Sequence, residues 1–362
     1  MEFLKIILLP FALIYWAITT LRNLLFDLHI LHSEVFKMPI IVVGNLSVGG
    51  TGKTPHVEYL IRLLQPRFSV ATLSRGYGRL TKGFRLAGTG DGTEEIGDEP
   101  MQYHRKFSGI NVGVDESRRN GIGELMGIST APDVILLDDA FQHRWVKPGY
   151  SLLLTDYQHL YSDDYLLPAG RLREPRRGAR RADMIIVTKS PKVLSPFVRR
   201  DIIKRLKPRA QQQVLFSYIR YGDWVQFGKG SDQMALPRRV NTILLVSGIA
   251  NPAPLEEYLR KSCEELVTMS FSDHHQYEVK DMENISITFE NIISRNKLII
   301  TTEKDAMRLL NPRYEAWINR MPWFYIPMEV EFHGNDKELF TKIILTYVTE
   351  NSGNSGLYQG KN

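Results

Sequence analysis

Apolar positions recur along the chain in short blocks of aliphatic and β-branched residues. Blocks at 40–43, 69–73, 110–114, 133–139, 150–156, 184–188, 214–219, 242–247, 266–271 and 298–302 read as strands. Between them the spacing turns helical, with Val57, Leu60, Ile61 and Leu64 on one face after Pro55. Further helices are expected at 115–126, 196–206, 253–261, 279–294 and 306–310. Strands alternating with helices predict an α/β fold, a mostly parallel sheet covered by helices on both faces. Residues 83–97 are glycine-rich and polar and read as a loop or small β-excursion. At Asp98-Glu99-Pro100 a helix opens, with Asp98 as its cap and Pro100 in an early position.

The same pattern divides the chain. Residues 1–36 form a hydrophobic helical segment and 37–216 the main lobe. Residues 217–239, with Tyr218, Tyr221, Trp224 and Phe227, read as a hairpin linking it to a smaller α/β lobe over 240–350. The tail 351–362 has no core-forming pattern and is expected to be disordered.

The N-terminus is the outlier. Residues 6–21 carry no charge, lie between Lys5 and Arg22, and contain Pro10, which is expected to interrupt the helix. Sixteen helical residues reach roughly 24 Å, short of the ~30 Å hydrocarbon core. Thr19-Thr20-Leu21-Arg22 supplies no small-residue cleavage site. The segment therefore reads as a helix lying in one leaflet, with Tyr15 and Trp16 at the interface. A core helix is the plain alternative, and a spanning helix, for which the uncharged run is short, is the third reading.

Chemistry gathers where strands end. After the strand at 40–43 comes Ser47-Val48-Gly49-Gly50-Thr51-Gly52-Lys53-Thr54, then a helix. Strand, glycine loop, Lys-Thr and helix are the context of a P-loop, whose backbone N–H groups cradle phosphates at the positive end of a helix dipole. Lys53 would reach the β- and γ-phosphates, and the Thr54 hydroxyl would ligate Mg²⁺. Ser47 stands where the usual pattern has its first glycine. Asp138 and Asp139 end an apolar strand, as Walker-B carboxylates do near Mg²⁺. Gln142 and His143 follow and could orient water or substrate. Both groups should converge at the carboxyl ends of the strands.

Arg171, Arg173, Arg176, Arg177, Arg180 and Arg181 place six arginines within eleven residues. Their forks suit phosphate oxygens, and a solvated basic face is the plain alternative. No aromatic residue is interleaved, which argues against nucleic acid. Asp273-His274-His275 follows another strand and suits acid–base work or the orientation of a base. Thr301-Thr302-Glu303-Lys304-Asp305 either holds the site's electrostatics or caps the next helix.

Composition changes the picture little. The 362 residues are 43% hydrophobic and 24% charged, ordinary for a folded protein. Cys263 alone excludes an internal disulfide and a cysteine metal cluster. A net charge of +6 suggests an anionic partner.

Taken together, GNLSVGGTGKTP (44–55), LSRGYGR (73–79), GDEP (97–100), DDAFQHR (138–144), LLPAGRLREP (166–175), SDHH (272–275) and TTEKDAMRL (301–309) resemble the tetraacyldisaccharide 4'-kinase family of lipid A synthesis. The resemblance runs from about residue 3 to about 348, hydrophobic helix included. Ser47 matches the family's loop; Ala140 stands where the family commonly has glycine. The resemblance implies a kinase on the cytoplasmic face of the bacterial inner membrane, moving the ATP γ-phosphoryl group to the 4'-hydroxyl of an acylated glucosamine disaccharide 1-phosphate. It implies Asp98 as base assisted by His274, with Asp138 and Asp139 also in the catalytic group. Residues 47–54 would bind ATP, and Thr54, Asp139 and Gln142 would hold Mg²⁺. Arg75, Arg171, Arg173 and Glu174 would bind the lipid, with neither nucleic acid nor an obligate protein partner.

Two other classes stay open on the residues alone. A membrane-associated P-loop ATPase or GTPase switch would share the loop and carboxylates. Its deviant loop carries lysine before the glycine pair, where this chain has Val48, and its guanine-reading aspartate would fall where Lys192 stands. A non-catalytic membrane-binding module would leave Lys53, Thr54 and both aspartates without a purpose.

Overall fold

The computed structural model describes residues 2–228 and 240–352. Every strand foreseen above is present, with its ends displaced by no more than three residues. They form two sheets. The larger has nine strands, in the order Met328–Phe332, Gln213–Tyr221, Met184–Thr188, Tyr150–Asp156, Ile40–Asn45, Val134–Asp138, Val70–Ser74, Asn111–Val114 and Arg85–Leu86. All neighbours are parallel except the outermost pair at each edge. The smaller has the order Cys263–Ser270, Val240–Ser247, Lys297–Thr302, Trp323–Ile326 and Val225–Gln226, with only the last pair antiparallel.

Central strands carry no polar face because both faces are covered. All six residues of Ile40–Asn45 are buried, with Ile40 and Val42 in the core on one side and Ile41 and Val43 on the other. The second side is filled by Leu60, Ile61 and Leu64 of the P-loop helix (Lys53–Leu64). A third cluster joins the lobes: Ile96 and Met101 pack with Ala306, Met307 and Leu309.

Two boundaries differ from the sequence reading. Residues 217–228 are no hairpin: Gln213–Tyr221 belongs to the large sheet and Val225–Gln226 to the small one. The rest of that linker, 229–239, lies outside the described residues. The lobe expected over 240–350 gives up its last part. Trp323–Ile326 and Met328–Phe332 are separated only by Pro327, and they belong to different sheets. Proline cannot donate to a ladder, so one extended run breaks there and crosses over. The helix Asp336–Ser352 follows it onto the large sheet, its first carboxylate held by Arg199 at 2.7 and 2.8 Å and by the Phe216 N–H at 2.8 Å. Residues 351–352 complete that helix, and the remainder of the expected disordered tail lies outside the described residues.

The N-terminal helix, Glu2–Asp27, is longer than the uncharged run and passes through Pro10, which removes only the hydrogen bond to Ile6. Its 21-residue stretch Ile7–Asp27 is long and apolar enough to cross a membrane by length and composition. It is not a core helix. Ala12 and Phe26 face the body, while Phe11, Leu13, Ile14 and Ile18 are each about 60% exposed. Trp16 points outward as expected; Tyr15 turns inward, its hydroxyl donating to the Arg173 carbonyl at 2.8 Å.

Phe340 is 1% exposed and stacks on Phe332 at 4.8 Å, with Tyr59 of the P-loop helix edge-on at 5.6 Å. Phe340→Ala is expected to cost about 3–5 kcal/mol. Urea unfolding should register that loss, and nucleotide affinity should fall with it, although the residue lies far along the chain from the P-loop.

Candidate active site

The P-loop leaves the Ile40–Asn45 strand under tight constraint. A Cβ at Gly44 would lie 2.6 Å from that of Phe141, so only glycine lets the two loops close on each other. Ser47 needs no glycine freedom: it forms an isolated bridge with Leu172, flanked by Arg173 N–H to Leu46 O at 2.7 Å and Val48 N–H to Arg171 O at 2.8 Å. The arginine loop thus forms one wall of the P-loop. Gly52 adopts φ +84°, and its carbonyl accepts from the buried His56 ring at 2.7 Å. Burial holds that ring's pKa down to about 4 despite the bond, so it stays neutral.

Asp138 and Asp139 sit beside Lys53 and differ sharply. Asp139 takes φ 47°, a left-handed turn that aspartate tolerates and that swings its carboxylate off the strand. Arg173 grips it at 2.7 and 3.2 Å, and Lys53 stands at 3.6 Å. Burial works against its ionisation, but Lys53 and Arg173 prevail and hold it at about 2. Asp138 is pushed up to about 6, first by burial and then, against the pull of Lys53, by Asp139. Its Oδ2 accepts from Tyr103 at 2.9 Å, while its Oδ1 is buried without a partner. Gln142 donates to Asn45 O and Glu174, and its Oε1 is likewise buried and unpartnered. These two orphan oxygens fit a hard cation, which favours oxygen ligands and keeps several waters. Among the described residues no group of three His, Cys, Asp or Glu forms a metal cage of its own.

Three site expectations change. Asp139, expected on the metal, has both oxygens on Arg173. Arg173, expected on the lipid, lies instead on Asp139 and Asn45 at the nucleotide side. Glu174 is 3% exposed and saturated by Arg181, Gln142 and Asn23, so it braces the loop instead of meeting substrate. Arg75 and Arg171 remain exposed.

Asp98 is not a cap. Gly97 holds the N-cap position, with φ 91° and close contact to Gly76, and no side-chain cap bond forms. The Asp98 carboxylate turns to the other lobe, where Arg308 donates from Nε at 3.1 Å and more closely from Nη2. Burial disfavours its charge, but His274 and Arg308 outweigh that and draw it down to about 2. The His274 ring lies between three charged groups: Lys304 is 3.1 Å from Nε2, and Asp98 Oδ2 and Arg308 Nη2 are each 3.4 Å from Nδ1. His274 has φ 58°, and Tyr77 covers its ring edge-on at 5.1 Å. His275 is structural, bonded to Asp281 at 2.8 Å and stacked on Phe271. In the Thr301–Asp305 motif, Thr302 caps the helix Glu303–Leu309, and that helix delivers Lys304 and Arg308 to the site.

Beside Lys304, which the sequence reading offers for the site's electrostatics, Asn45, Tyr103, Arg118 and Arg308 carry much of this geometry and are given no role there. Arg118, 4% exposed, donates to the Asp138 carbonyl at 3.2 Å. Arg308 alone had a signal, four residues beyond a charged strand end on a helical face.

Strand, glycine loop, lysine and unequal paired carboxylates at the carboxyl ends of a parallel sheet define a P-loop nucleotide-binding protein. The profile of the tetraacyldisaccharide-1-P 4'-kinase family matches residues 4–349, and the chain belongs to that family. A tetraacyldisaccharide 4'-kinase from Bacteroides thetaiotaomicron is 45% identical, covering 98% of this chain and 96% of the relative. One from Flavobacterium johnsoniae is 46% identical, covering 97% and 99%. The crystal structure of LpxK from Aquifex aeolicus in complex with ATP is 28% identical, with a TM-score of 0.72 over 95% of this chain and 99% of that one. Membership sets aside the nucleotide switch and the non-catalytic module.

The depressed Asp98 value has a consequence with a definite sign. A carboxyl lowered from its ordinary value to about 2 adds stability above pH 4, lost as pH falls through 2. Wild type should exceed Asp98→Asn by roughly 2 kcal/mol at neutral pH. Acid-unfolding curves of the two proteins should converge between pH 4 and pH 2.

Proposed function

We propose that this protein transfers the γ-phosphoryl group of ATP to the 4'-hydroxyl of the tetraacyldisaccharide 1-phosphate precursor of lipid A, at a membrane surface. The observation that carries the reading is one short helix. Asp98 begins it, and Tyr103, five residues or ~7.5 Å along the axis, touches Asp138. The same helix thus carries the proposed proton acceptor and a contact to the strand-end carboxylate beside Lys53.

ATP lies with its phosphates in residues 47–54, Lys53 on the β- and γ-oxygens and Arg173 beside them. Thr54, Asp138 and Gln142 would hold Mg²⁺, which when bound neutralises charge on the β- and γ-oxygens. The sugar hydroxyl oxygen bonds to the γ-phosphorus, the bond to the β–γ bridging oxygen breaks, and the hydroxyl proton passes to Asp98. A carboxylate held near 2 is ionised at neutral pH and so has a lone pair to accept that proton. His274 and Arg308 fix its orientation. The lipid's own phosphate falls to Arg75 and Arg171, both exposed beside the site.

The N-terminal helix supports the membrane assignment because its polarity is inverted. Its inner face bonds the body through Tyr15 and Asn23, and its outer face is apolar and uncovered. The helix therefore lies along the enzyme and in the interface, beside the loop that walls the P-loop.

The test of function is ATP-dependent phosphorylation of the disaccharide precursor by purified protein in detergent micelles; no transfer by the wild type would overturn the reading. Asp98→Ala should lower kcat per folded molecule by ~10²–10⁴ with little change in KM for ATP. Normal turnover in that variant would remove Asp98 from the mechanism.

Replacing Phe11, Ile14 and Ile18 together by Glu should release the protein from lipid vesicles and raise the apparent KM for micellar lipid. Melting temperature and ATP affinity should hold, since none of the three side chains is buried. Undiminished vesicle binding would sink the interfacial role.

A further inference from the structure

Three helices, each carrying one part of the proposed machinery, meet at a single ammonium. Lys106 Nζ donates to Glu58 Oε2 at 2.8 Å and to the two oxygens of Glu303 at 2.7 and 2.9 Å. Glu58 lies on the P-loop helix, which starts at Lys53 and Thr54. Lys106 ends the helix that Asp98 begins. Glu303 begins the helix of Lys304 and Arg308, in the second lobe. Both carboxylates are buried, their side chains 1% and 5% exposed.

This arrangement does not serve any one helix. Two carboxylates brought together out of water repel, and burying each without a partner is costly. Lys106 is the cation between them. Gln102 fills the other oxygen of Glu58 at 2.7 Å, and Arg62 approaches Oε2 from its own helix at 3.0 Å. At the far end of the Asp98 helix, Arg308 holds Asp98 and Lys304 holds Glu99 at 3.0 Å. The helix is therefore tied to the second lobe at both ends, and to the P-loop helix through Gln102 and Lys106, which share Glu58. Burial and then the charge of Glu58 already raise Glu303 to about 7; with Lys106 gone it would take up a proton, and the three helices would lose the ammonium that joins them.

We propose that Lys106 is a positioning residue for phosphoryl transfer, pinning these three helices in the register that aims Asp98 at the nucleotide. Its effect on turnover rests on the kinase reading above; the pinning itself is readable without activity. A misplacement of 1 Å can cost on the order of 10²-fold in rate, so the lever is large.

The experiment uses full-length Lys106→Met, Lys106→Arg and Glu303→Gln proteins. Lys106→Met keeps most of the stem and removes the charge. It should lower kcat per folded molecule by about tenfold or more, with KM for ATP within about twofold. Amide hydrogen exchange should quicken in 98–106 and 303–309 while strand 40–45 keeps its protection. Lys106→Arg, which retains the charge, should recover most of the lost turnover, and Glu303→Gln should shift the same readouts less. A lowered melting temperature with normal kcat would mark a merely stabilising ion pair and overturn the proposal. A raised KM for ATP with kcat intact would overturn it too, as would unchanged exchange. If Lys106→Met fails to fold, Glu303→Gln decides by the same readouts. If wild type shows no transfer, the kinase reading fails, and the exchange arms still decide the pin.

Discussion

The carboxylate of Asp98 is buried and ionised, and the charge that permits this comes from the other lobe. Isolated, such a carboxylate would protonate, because burial penalises the charged form more than any single neutral hydrogen bond repays. Arg308 reverses the balance, and Asp305 in turn holds Arg308 at 3.1 Å while taking the Gly248 N–H at 2.9 Å. The proposed proton acceptor is therefore held ionised only while the lobes are docked. Buried ion pairs are weak sources of net stability, since desolvation offsets most of the attraction. What this one supplies is position and a fixed charge state. The apolar seam of Ile96, Met101, Met307 and Leu309 contributes the adhesion.

The same logic separates the two strand-end aspartates. They are neighbours in sequence, yet one is held near 2 and the other raised to about 6. A left-handed turn at Asp139 hands its carboxylate to Arg173 and Lys53, while Asp138 stays in the dry end of the strand with one oxygen on Tyr103. Pairs of titratable groups driven apart by environment mark a division of labour. Asp139 gathers Lys53 and Arg173, and Asp138 keeps one oxygen unpartnered.

The arginine loop and the N-terminal helix form a second layer around this centre. Glu174 is the joint: it binds Arg181, Gln142 and Asn23 together, so the helix, the post-strand loop and the arginine loop share one buried carboxylate. The N-terminal helix and the P-loop wall are thus mechanically continuous.

Local signals in the chain determined much of this. The buried strands, the glycine loop entering a helix and the helix at Pro196–Leu206 follow from apolar spacing, turn chemistry and caps, which act within about a dozen residues. The ordered motifs identified the family, and with it suggested Asp98 and His274 for the proposed site. Partner choice was beyond reach. Arg308 lies 210 residues from Asp98, and Lys106 lies 197 from Glu303, distances over which no periodicity speaks. Asp98 read as a cap because its local context permits one; Arg308 competes for the same oxygen and wins, since a buried charge requires a countercharge. Glu174 and Arg173 looked free for substrate because a sequence shows which groups can bind phosphate or cation, and not which are already spent on each other. The return of residues 328–352 to the first sheet was decided the same way, by an edge strand and an apolar face that only the assembled lobe presents.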